Sequence, residues 1–198
     1  MKARTLKTLA AAIAALIIVL LLIMPKQPSS KREVASVNSD PLHQKMDKAI
    51  GLVKSGENPM QGIMLLREVL DEDSTYVPAI YWMGMFSVES GQLDKAQERF
   101  KSVVSLDPEY VDAYWQLGHL ALERAEYYKA IDHFKRVLEL SPEEYNGAHF
   151  FLGKTYATVG QPKDAVSSFK SYKKLVTDTV IEKRVDDFIE ELENNLNN

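Results

Sequence analysis

Cysteine is absent from the 198 residues, which excludes disulfides, thiolate metal sites and a cysteine nucleophile. Glycine and proline number only 9 and 8, too few for a low-complexity or collagen-like chain. The four histidines, His43, His119, His133 and His149, have no spacing of the HExxH kind. His119 and His149 fall in neighbouring segments, but no carboxylate is in step with them to complete a metal site. Glycine-rich phosphate loops and nucleophile elbows are missing as well. The pairs Asp186-Asp187 and Glu190-Glu191 fit the solvated face of a helix better than an acid–base couple. The expectation is a protein that is not an enzyme, with no catalytic residue, no metal and no cofactor. Positive charge is scarce beyond the N-terminus. The whole chain is −4 and residues 1–40 hold six basic and two acidic residues, so the remainder carries −8. Such a body repels phosphate backbones, and no nucleic-acid partner is expected.

What is present begins with a long apolar run, LAAAIAALIIVLLLIM at 9–24, preceded by the short basic segment 1–8 and stopped by Pro25. Sixteen helical residues span about 24 Å, and extension through Thr8 with Lys7 snorkelling brings a bilayer core of about 30 Å within reach. A cleaved secretory signal is the alternative, but Pro25-Lys26-Gln27-Pro28 is a poor cleavage site and Val34-Ala35-Ser36 lies ten residues downstream. A buried core helix would need a polar face, which the run lacks. The reading is a signal-anchor at 9–24 forming a single transmembrane helix, with the basic end in the cytoplasm and the body outside. Residues 25–40, polar with two prolines and no periodicity, read as a flexible linker.

The rest of the chain repeats at a spacing of 34. Gly84 pairs with Gly118, Ala96 with Ala130, Phe100 with Phe134, Val103 with Val137, Leu106 with Leu140 and Pro108 with Pro142. Apolar residues recur at helical spacing in Val111–Glu123 and again in Tyr127–Leu140. Gly118 and Ala130 lack bulk, which lets two antiparallel helices approach where they cross. Asp107-Pro108 reads as a helix N-cap followed by proline, and Ser141-Pro142-Glu143-Glu144 as a capping box. Gly91 and Gly160 fall where the first helix of a pair must stop.

These residues resemble the tetratricopeptide repeat, whose pattern is a large apolar residue, Leu-Gly, then Ala, an aromatic and a closing proline. One unit supplies Tyr114, Leu117-Gly118, Ala130, Phe134 and Pro142, and the preceding one Ile80, Met83-Gly84, Ala96, Phe100 and Pro108. The next supplies His149, Leu152-Gly153, Ala165 and Phe169 after a one-residue insertion, with Thr177 in place of proline. An earlier unit keeps Gly62, Leu66 and Val69 but has Ala49-Ile50 where Leu-Gly is expected. The resemblance implies an all-α, right-handed α-solenoid of stacked antiparallel helix pairs. Its units would be 43–76 (degenerate), 77–110, 111–144 and 146–179, followed by a capping helix at 180–198.

The resemblance also implies a concave groove lined by the first helix of each pair. The groove positions carry over to Tyr81 and Met85, Trp115 and His119, and Phe150 and Lys154. That is an aromatic wall with a polar or basic end at His119 and Lys154, suited to an apolar or amphipathic peptide. Such rings also pack against neighbouring repeats, Trp82 is out of register with Trp115, and the last helix is long enough to fold over the groove. A clamp for a partner's C-terminal carboxylate would need polar groups where Tyr81, Trp115 and Phe150 stand. The implied function is a membrane-anchored scaffold or adaptor holding a client protein, similar to bacterial inner-membrane proteins of this family, with the repeats on the periplasmic side. The alternative is a structural component that self-associates, for example as a homodimer.

Overall fold

The computed structural model describes residues 40–196. The expected anchor at 9–24, the basic segment 1–8 and all of the 25–40 linker except Asp40 lie outside the described residues. Among the described residues all regular structure is helical. No helix there is long and apolar enough to cross a membrane.

Four antiparallel pairs follow one another: α1 (Pro41–Lys54) with α2 (Pro59–Glu72), α3 (Val77–Glu89) with α4 (Leu93–Leu106), α5 (Val111–Glu123) with α6 (Tyr127–Leu140), and α7 (Gly147–Thr158) with α8 (Pro162–Lys173). A longer helix, α9 (Thr179–Leu196), closes the series. One contact recurs in three pairs. A methyl group placed on Gly84, Gly118 or Gly153 would lie 2.6, 2.7 and 2.7 Å from the rings of Phe100, Phe134 and Phe169 respectively. Each phenylalanine therefore lies flush on its partner helix and is completely or almost completely buried. Burial of such a side chain contributes roughly 2–3 kcal/mol. Ala96, Ala130 and Ala165 are fully buried one turn earlier on the same helices. In the first pair the small residue changes sides: Gly62 of α2 meets the Ala49 carbonyl of α1 (2.5 Å from an added methyl), and Leu66 replaces phenylalanine.

The turn inside each of the last three pairs is a Schellman motif. Gly91, Ala125 and Gly160 take positive φ of 71°, 57° and 74°. The amides of Gln92, Glu126 and Gln161 donate to the carbonyls of Ser87, Ala121 and Tyr156, each at 2.8 Å. Ala125 thus occupies a conformation that glycine adopts freely and alanine only at a cost of about 1–2 kcal/mol.

The turns between pairs correct two expectations. Asp107 does not open α5. It ends α4 in an extended conformation (φ −133°, ψ 94°), and α5 starts from Tyr110. Ser141 likewise ends α6 (φ −148°, ψ 74°), and its hydroxyl hydrogen-bonds the Glu144 carboxylate instead of capping α7. The reason lies in the prolines at 108 and 142, whose rings bar a helical conformation at the residue before them. Here proline closes the preceding helix. The Asp107 carboxylate instead accepts the Glu109 amide at 3.0 Å, folding the turn.

α9 covers the outer side of the last pair. Val185 and Ile189 are buried, Phe188 stacks on Phe169 (centroids 5.5 Å apart), and Lys173 and Lys170 pair with Asp186 and Glu193, each at 2.7 Å.

Gly118→Ala is expected to cost about 1–3 kcal/mol in chemical denaturation through overpacking against Phe134. In a Phe134→Leu background the same change costs distinctly less; equal costs in both backgrounds would separate the glycine from the ring. Ala125→Gly is expected to raise the melting temperature by about 2–4 °C by relieving the left-handed strain. Calorimetry on the two proteins decides this.

Candidate interaction face

The first helices α3, α5 and α7 position the six residues assigned to the groove. Tyr81, Trp115 and Phe150 each lean on the buried phenylalanine of their own pair, with centroid distances of 5.6 Å to Phe100, 5.6 Å to Phe134 and 5.9 Å to Phe169. Such ring pairs contribute about 0.5–1.5 kcal/mol beyond their area. The recurrence of an aromatic at this place therefore has a packing cause, and the three rings differ in what remains open. Tyr81 is buried, with Tyr110 at 5.1 Å, and offers no groove surface. Phe150 is half-buried, with Tyr172 at 5.4 Å and Phe188 of α9 at 6.4 Å. Trp115 is half-buried between Tyr145 (5.4 Å) and Phe151 (5.6 Å).

Met85 is half-buried beside the cluster around Tyr81. His119 does not form a basic end. Its ring stands edge-on to Trp115 (4.7 Å) and Phe151 (4.5 Å), and burial lowers its pKa below the usual histidine value. It is neutral at pH 7 because the desolvated ring gains no carboxylate to hold a proton. Lys154 is exposed, with its ammonium 5.8 Å from the Phe150 ring. It stands on the rim of a hollow of about 240 Å³ whose apolar lining is Leu122, Tyr127 and Phe151.

Sequence reasoning missed the tyrosines that prop these rings. Tyr76 and Tyr110 precede α3 and α5 at the 34-residue spacing, and Tyr145 follows one residue late. The Tyr145 hydroxyl donates to the Asp112 carboxylate in the first turn of α5. Burial first, and the Asp112 charge second, push the Tyr81 phenol up to about 12 against an opposing hydrogen bond from Gln116. Tyr110 is raised by burial and then by Tyr81, and Tyr145 by burial and then by its bond to Asp112. All three remain protonated donors at any physiological pH. Among the described residues no group of three His, Asp or Glu side chains is placed to hold a metal ion.

Residues 57–118 and residues 111–144 match the tetratricopeptide repeat. Residues 57–144 are tetratricopeptide repeats. The fold is similar to that of solved MamA proteins. A MamA crystal structure shares 22% identity over 77% of this chain and 86% of its own, with a TM-score of 0.63. The MamA RS-1 ArsTM double mutant shares 17% over 79% and 97%, also at 0.63. MamA AMB-1 in the C2221 form shares 24% over 71% and 81%, at 0.58. At these identities the likeness is one of fold. No curated protein matches the chain at a significant level.

Three histidines with pKa lowered by burial, His119, His133 and His149, give a sign for pH dependence. The unfolded chain takes up protons below about 6.5 that the folded chain refuses, so stability is full above that value and falls as pH drops below it. Urea midpoints between pH 7 and 5 should decline, and His119→Phe should flatten the decline. A midpoint that rises on acidification would contradict the assignment.

Proposed function

We propose that this protein is a membrane-anchored interaction scaffold that holds an apolar or amphipathic segment of a client protein along α3, α5 and α7. The observation that carries the reading is Trp115, a half-buried ring on α5 in contact with Phe151, which lines the hollow rimmed by Lys154. An indole that is held rigidly, has an apolar face and a free edge, and loses little entropy on contact is a favoured anchor for protein partners. Met85 and Leu122 extend the apolar strip, and Lys154 supplies a single cation for a carboxylate or helix C-terminus of the client. The tetratricopeptide repeats support a protein-binding role over an enzymatic one. Residues 9–24 would hold the scaffold in the bacterial inner membrane as a single span, and the basic N-terminus favours repeats on the periplasmic side.

The test is a photoreactive phenylalanine analogue at position 115 of the full chain in its native cells. The expected result is one discrete adduct with another protein, in a membrane fraction that retains the chain after alkaline extraction. An adduct of twice the chain's mass would favour the self-associating reading. The absence of any adduct, or the same pattern from a probe at exposed Ser167 on α8, would remove the client reading.

A further inference from the structure

A second hollow, of about 300 Å³, lies between α2, α3 and α4, away from the rings described above. Its apolar lining includes Met60, Ile63 and Phe86, and its cations are Arg67, Lys95 and Arg99. Arg99 is built in: one guanidinium nitrogen donates to the Met83 carbonyl at 2.9 Å and to the Ser87 hydroxyl. Lys95 donates to Gln92 at 2.8 Å. Among the described residues no carboxylate lies within 4.0 Å of any of the three cations, whereas Lys45, Arg124, Lys129, Arg136, Lys170 and Lys173 are all ion-paired. Burial, and then the positive charge of Arg67, lower the pKa of Arg99 against the opposing charge of Glu98, and both guanidiniums line the same hollow. This occurs in a chain whose net charge is −4. Met60 in the lining and Met64, four residues further along α2, are 65% and 54% exposed. Flexible, polarisable thioethers of this kind adapt to varied peptide side chains.

We propose that this hollow docks an acidic segment of a partner protein, one Asp or Glu carboxylate bridging Arg67 and Arg99 while a neighbouring apolar side chain rests on Met60, Ile63 and Phe86. Two guanidiniums offer forked donors that match a carboxylate. The apolar lining and the two open methionines have no use for a bare anion, which favours a peptide over phosphate. The site is independent of Trp115, so the scaffold can hold two segments at once.

Random peptides displayed on phage are selected on the full chain in detergent, and the enriched peptides are measured by fluorescence anisotropy. Enriched sequences should carry Asp or Glu next to Leu, Ile, Phe or Met. Arg67→Glu, at an exposed position, should weaken binding at least tenfold with the circular dichroism spectrum unchanged, and Arg67→Lys should weaken it less. Trp115→Ala should leave the affinity as it is, so failure here leaves the reading of the α3, α5 and α7 face standing. No enrichment, peptides without acidic residues, or indifference to Arg67→Glu each overturn the proposal. So does inorganic phosphate competing at the peptide's own affinity, which marks a bare-anion site. A dimer seen in sedimentation and lost in Arg67→Glu overturns it as well, because a second copy would then fill the hollow.

Discussion

A phenylalanine ring lying where a glycine has no side chain governs the architecture. At Gly84, Gly118 and Gly153 the distance between two helices is set by the thickness of one ring, with no room for a methyl group. Interiors packed to that density do not deform gradually, so the crossing of α3 with α4 fixes the crossing of the next two pairs by repetition. The Schellman turns at Gly91, Ala125 and Gly160 return the chain at a matching place each time. The first pair obeys the same constraint with its parts exchanged, Gly62 now sitting on α2 against the backbone of α1.

The same ring organises the interaction face. Because the side chains of Phe100, Phe134 and Phe169 reach through to the side of α3, α5 and α7, a flat partner is needed beside each, and Tyr81, Trp115 and Phe150 supply it. A tyrosine from the following turn then braces the first two, and α9 braces the third. The repeats are alike in backbone, yet Tyr81 is buried while Trp115 and Phe150 are half-buried. The surroundings of Trp115 are held by short-range bonds, with the Tyr145 hydroxyl tied to Asp112 and His119 pinned edge-on. The surface of this face is thus preset by packing.

Much of the architecture is legible in the sequence because it depends on contacts at fixed separations. The glycine and phenylalanine are sixteen residues apart in all three pairs, Gly84 with Phe100, Gly118 with Phe134 and Gly153 with Phe169, and a periodic chain displays such pairs directly. Ala79, Ala113 and Ala148, fully buried in each first helix, carried the same signal and were passed over. Helix ends were less legible. Asp107 and Ser141 have the composition of N-caps, and only the bar that proline imposes on its predecessor assigns them to the helix before. Exposure was the least legible property. A spacing gives the side of a helix on which Tyr81 lies, but Tyr110 is what buries it, and the neutrality of His119 comes from Phe151 on another helix. The Tyr76–Tyr110 interval was a usable clue to those braces. The placement of Arg67 and Arg99 from two helices around one hollow had no periodic signature at all.

α9 has a consequence for how such a chain grows. Phe188 takes the seat on Phe169 that the first helix of another pair would need, and two lysine–carboxylate pairs secure it there. Another first helix could not take that place on Phe169 without unseating α9. A unit inserted upstream, between pairs that share the glycine–phenylalanine seat, would leave the contact of α9 with Phe169 unchanged.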